Sequence, residues 1–115
     1  MAGDFIVQWN CNSVACHRTE LDVIISKFSP AVICLQETRL KPKSQMTFKN
    51  YTEYYKSNEN GFGGVGILVK NNIIQSPVNL KTHLQAIAVC VTIRGKAYII
   101  RRVRQGIHLN VIIRV

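Results

Sequence analysis

No acidic residue follows Glu59 in this 115-residue sequence. All six Asp and Glu fall in residues 1–59, beside seven Lys and Arg, whereas residues 60–115 hold eight Lys and Arg and no acid. A basic, acid-free half attracts polyanions, nucleic acid first among them. The same asymmetry also arises when two halves of a chain have different coding histories. Proline (3) and glycine (7) are too scarce for a low-complexity or collagen-like chain. No apolar run approaches the roughly 20 residues of a membrane helix. The N-terminus has no basic segment leading into a long apolar one, so no secretory signal is visible. An intracellular protein, nuclear or cytoplasmic and not secreted, is expected, and the Asn50-Tyr51-Thr52 sequon reads as a chance match. None of the four cysteines forms a CxxC pair, which removes zinc knuckles and thioredoxin-like motifs. Cys34 and Cys90 lie in apolar runs and read as small buried hydrophobes. His17, His83 and His108 are far apart, and neither an HExxH nor a Ser-His-Asp arrangement is available. The two aspartates, Asp4 and Asp22, open a strand and ride a polar helix face, and both read as surface charges.

What is present is globular: 47% apolar residues, 18% charged, and a length that allows one domain. A chain this short buries a modest share of its surface, so marginal stability is expected. Phe5 to Trp9 alternates with Phe5, Val7 and Trp9 on one face, which predicts a strand. Asn10-Cys11-Asn12-Ser13 offers several capping residues. A helix from about Val14 to Phe28 follows, with Leu21, Ile24, Ile25 and Phe28 on its apolar stripe, ended by Ser29-Pro30. Ala31 to Leu35 is a continuous apolar run and reads as a strand buried on both faces. Residues 5–36 therefore form one β-α-β unit with parallel strands. A basic loop then runs from Arg39 to Asn50. Further strands are expected at Tyr51–Lys56, Val65–Lys70, Leu84–Ile93 and Lys96–Ile100, with a tight Arg94-Gly95 hairpin, and the tail 107–115 alternates again. The order gives an α/β layered arrangement, β-α-β followed by antiparallel strands.

In a parallel β-α-β unit, functional groups gather beyond the carboxyl ends of the strands. Here the first strand ends in Asn10 and Asn12 and the second in Gln36-Glu37-Thr38-Arg39. One carboxylate with amide oxygens suits a hard cation such as Mg²⁺, and Arg39, Lys41 and Lys43 close by suit a phosphate. The plainer reading of the same residues is a solvated, Asn-capped strand end. Residues 61–66, Gly-Phe-Gly-Gly-Val-Gly, match GxGxxG literally, but a strand rather than a helix follows, so a dinucleotide site is rejected. The glycines read instead as a tight turn or a close backbone approach.

Three segments in this order and spacing carry a resemblance: Gln8-Trp9-Asn10-Cys11-Asn12-Ser13, Leu35-Gln36-Glu37-Thr38-Arg39 and Gly63-Gly64-Val65-Gly66-Ile67-Leu68. They resemble the start of the endonuclease/exonuclease/phosphatase superfamily, specifically the AP-endonuclease-like domain of non-LTR retrotransposons. Connecting stretches, among them 17–22, 28–34 and 76–81, are similar to jockey-type elements of insects. The resemblance covers residues 5 to about 100. It implies a four-layered α/β sandwich that hydrolyses one phosphodiester bond of target DNA with Mg²⁺ or Mn²⁺, the nick then priming reverse transcription. By position, Glu37 corresponds to the metal-binding glutamate, Asn10 to the active-site asparagine, and Asn12 to a place in the metal shell.

The sequence departs from the family after Ile100. The family's Tyr-x-Pro segment, its Asp-x-Asn motif and its terminal Asp-His pair have no counterpart, and no aspartate follows Asp22. His108 has no Asp before it and is not carried over as a catalytic histidine. The expectation is a partial family domain over 1–100, its N-terminal half, and an unrelated basic tail over 101–115. Such a half is expected to be catalytically inactive, to hold Mg²⁺ or Mn²⁺ weakly, and to bind DNA non-specifically and in a salt-dependent way. It is also expected to expose an apolar sheet face open to self-association, unless the tail adds an edge strand.

Overall fold

The computed structural model describes residues 5–43, 46–80, 86–103 and 111–114. His83 and His108 lie outside these residues. The chain begins as the sequence predicts: β1 (Ile6–Asn10), α1 (Arg18–Phe28) and β2 (Val32–Gln36) form a β-α-β unit. β1 and β2 pair in parallel from Ile6↔Val32 to Asn10↔Gln36. Then come β3 (Tyr51–Lys56) and β4 (Val65–Lys70), which complete a first sheet in the order β1-β2-β4-β3. β5 (Ile74–Val78), β6 (Ala86–Ile93), β7 (Lys96–Val103) and β8 (Val111–Arg114) form a second, antiparallel sheet in sequence order.

The two sheets face one another. Val32, Cys34, Ile67 and Val69 of the first pack with Val89, Val91 and Ile100 of the second in one buried cluster. The alternation of β2 and β4 sends Ile33, Leu35 and Leu68 to the opposite face, where Leu21 of α1 and Leu40 and Phe48 of the basic loop close over them. The architecture is thus helix on sheet on sheet, the layered α/β arrangement read from the sequence. Closing the sheets on each other buries the face that the sequence left in question. On the outer side of the second sheet, Ile74 of the edge strand β5 is 75% exposed, while Ala86 and Ala88 of β6 are buried.

Three elements differ from expectation. α1 begins at Arg18 rather than near Val14, because the backbone N–H groups of Cys11, Ser13 and Val14 are bonded to Gln36 O, Glu37 O and Thr38 O. With those donors committed to another segment, residues 14–17 turn, and the helix starts beyond His17 without a side-chain cap. β5 contains Pro77, which lowers its strand signal, but it is an edge strand, where a missing N–H is tolerated. β7 runs past Ile100 to Val103, so Arg101 and Arg102 lie in the second sheet. The Arg94-Gly95 hairpin has positive φ at both residues, 53° and 76°, as a type I′ turn requires.

Candidate active site

Parallel pairing of β1 and β2 sets Asn10 opposite Gln36, so the chain leaves both strands at the same end of the sheet. Three segments are laced together there by main-chain hydrogen bonds. Ser13 N donates to Glu37 O (2.8 Å) and Val14 N to Thr38 O (3.0 Å). Thr38 N donates to Gly64 O (3.3 Å) and Arg39 N to Gly63 O (2.8 Å). The lacing holds an unusual backbone. Asn12, Ser13, Glu37 and Arg39 all have positive φ, at 45°, 85°, 59° and 54°, and Gly63 and Gly64 oppose them at 65° and 88°. Left-handed backbone at a non-glycine residue costs about 1 kcal/mol or more and persists only where its surroundings enforce it.

The third segment needs its glycines for space as well as for φ. A Cβ on Gly64 would run into Thr38 Oγ1, and Thr38 is wholly buried with no hydrogen-bond partner for that hydroxyl among the described residues. A Cβ on Gly66 would lie 2.8 Å from the Tyr55 ring. The glycine run is therefore a close backbone approach, and β4 follows it, as the rejection of a dinucleotide site anticipated.

The structure brings Asn10, Asn12 and Glu37 to this one end; Glu37 is half-buried and both asparagines are exposed. Arg39, Lys41 and Lys43 are exposed on the loop that leaves it. Lys41 and Lys43 line an open depression of about 300 Å³ with Pro42 and Glu59. Beneath the loop, Cys11 is buried, and its Sγ donates to Gln36 O at 3.3 Å. Burial pushes the Cys11 thiol up to about 11, with the nearby Glu37 charge adding to the rise.

Sequence reasoning missed Arg102. It is 3% exposed, its Nε donates to Leu35 O (3.3 Å), and its Nη2 donates to Gln36 Oε1 (3.0 Å). Burial depresses the guanidinium pKa. Extending the β7 alternation of Tyr98 and Ile100 by one more step would have placed Arg102 on the inner face. Thr38 lies within the Leu35–Arg39 motif, but its burial against Gly64 has no sequence signature.

The family's metal can be tested against these residues. Among those described, no three His, Cys, Asp or Glu cluster. The donors at hand are one carboxylate, Glu37, and the carboxamides Asn10 and Asn12. These oxygens fit a hard divalent cation in kind, while a single negative charge gives it little hold.

Comparison with known proteins settles the class to which this fold and strand end belong. The Endonuclease/Exonuclease/phosphatase family matches residues 7–104, and the chain belongs to that family. No curated protein matches it. Among solved structures it is similar to a 3′ phosphatase, NExo from Neisseria, bound to a product DNA hairpin, at 17% identity and TM-score 0.56, over 82% of this chain and 39% of that one. It is also similar to an AP endonuclease from Archaeoglobus fulgidus (20% identity, TM-score 0.54, 82% of this chain and 38% of that one). The APE2 catalytic domain of Xenopus laevis matches at 19% identity and TM-score 0.55, over 96% of this chain and 44% of that one. At these identities the likeness is one of fold, and the chain spans less than half the length of each of these structures.

Proposed function

We propose that this chain is the N-terminal half of a retrotransposon-type endonuclease domain of jockey-like ancestry. In a chain of this extent, it binds DNA without nicking it efficiently. The observation that carries the reading is the laced strand end, where Glu37, Asn10 and Asn12 meet in a sequence that has no aspartate after Asp22. Glu37 would hold Mg²⁺ or Mn²⁺ weakly, with Asn12 in the metal shell and Asn10 beside it. When bound, the ion would neutralise phosphate charge and stabilise a leaving oxygen. Activation of the attacking water falls to groups of the Asp-x-Asn and Asp-His type, which this sequence lacks. The protein acts inside the cell, and the exposed Ile74 on edge strand β5 offers a place for self-association.

The DNA neighbour supports nucleic acid as partner, and Arg39, Lys41 and Lys43 are the residues proposed to meet its phosphates. Each neutralised phosphate contributes about −0.9 to the slope of log K against log salt. Three contacts predict a slope near −3 and a loss of about 40-fold in affinity between 50 and 200 mM salt. Fluorescence anisotropy with a labelled duplex measures it, and Lys41→Ala and Lys43→Ala should each reduce the slope by about one. Affinity unchanged across that salt range would sink the DNA reading and leave a relic without a selected partner.

A further inference from the structure

Thr38 and Arg102 are the buried polar side chains among the described residues. One follows Glu37 in sequence, and the other is bonded to the residue before it. Arg102 is the unusual one, because it brings a permanent charge. A guanidinium does not give up its proton in a protein, so its burial is tolerated only where its donors are satisfied. Two of its five N–H donors are bonded to neutral partners, Leu35 O and Gln36 Oε1, and neither partner cancels its charge. Both bonds cross from the second sheet to the last two residues of β2. The charge is therefore fixed under the strand end that carries Glu37, with little freedom to swing away.

We propose that Arg102 sets the charge preference of this site, weakening divalent-cation binding at Glu37 and favouring the phosphate of a nucleic acid. The inference rests on the placement of the site at Glu37 in the reading above. A divalent ion there meets one fixed negative and one fixed positive charge, and its double charge doubles the repulsion from Arg102. A phosphate at the strand end would meet the exposed Arg39 and feel the buried Arg102 charge without touching it. Charges separated by about 10 Å in a partly buried setting change an affinity by tenfold or more.

The test is a Mn²⁺ titration followed by paramagnetic broadening of the backbone amide signals of residues 10–14 and 36–39. It compares wild type, Arg102→Met, Arg102→Gln and the double variant Arg102→Met with Glu37→Gln. Both neutral variants should bind Mn²⁺ about tenfold more tightly than wild type, and the double variant should lose that gain. A folded neutral variant with wild-type Mn²⁺ affinity overturns the proposal, as does a gain that survives Glu37→Gln. Should neither neutral variant fold, wild type alone decides: inorganic phosphate must shift the 36–39 amides at lower concentration than Mn²⁺ broadens them, and the reverse order overturns the proposal. A tenfold Mn²⁺ gain in a protein that does not bind DNA would retain the role of Arg102 and reject the DNA reading, so the two failures are distinct.

Discussion

Replacing Gly64 by alanine costs about 3 kcal/mol of stability. Two effects combine. Its φ of 88° is one that L side chains adopt only under strain, at about 1–2 kcal/mol. The new Cβ also meets Thr38 Oγ1, and Thr38 is fully buried between the lacing hydrogen bonds, so it has nowhere to move. Overpacking of this kind costs a further 1–3 kcal/mol or so. Gly95→Ala is the control: its φ is 76°, but nothing lies within 4 Å of the added Cβ, so only the backbone contribution remains, about 1 kcal/mol. Urea unfolding should show the Gly64→Ala midpoint about 1–2 M below wild type and Gly95→Ala well above it. Equal midpoints for the two variants would mean that the Thr38–Gly64 contact does not constrain the strand end.

Ile67→Ala is the second large loss, about 2–5 kcal/mol. Ile67 is wholly buried in the cluster shared by the two sheets, against Val89, Val91 and Ile100. Truncation leaves a cavity in the core that the two sheets share. A domain of this size has only about 5–15 kcal/mol in total, so the variant should melt well below wild type or lose its cooperative transition. Val23→Ala, on the exposed face of α1, should melt within a few degrees of wild type. Equal losses at positions 67 and 23 would mean that the second sheet does not pack on the first.

Much of this fold is legible in the residues themselves. β3 and β4 coincide with the strands expected at Tyr51–Lys56 and Val65–Lys70, and the β-α-β unit follows from one amphipathic stretch between two apolar runs. The misreadings share a cause: the deciding partner is distant in sequence. The Val14 N–H is bonded to Thr38 O, which displaces the helix start, and β5 becomes a strand because β6 pairs with it despite Pro77. The site divides the same way. Glu37, Asn10 and Asn12 are recognisable from strand ends and motif, since a parallel β-α-β unit delivers its carboxyl ends to one edge. The Thr38–Gly64 contact and the Arg102 anchor depend on how three loops and two sheets meet, and no local pattern encodes that.

The central proposal is that the Glu37 strand end, which persists here as family architecture, does not nick DNA efficiently in a chain of this extent. Nicking of supercoiled plasmid by the purified chain with Mg²⁺ tests it most directly, run beside EDTA and the Glu37→Ala variant. The account predicts no relaxed product above the Glu37→Ala background. Mg²⁺-dependent nicking that disappears both with EDTA and with Glu37→Ala would contradict it and make this chain a working nuclease.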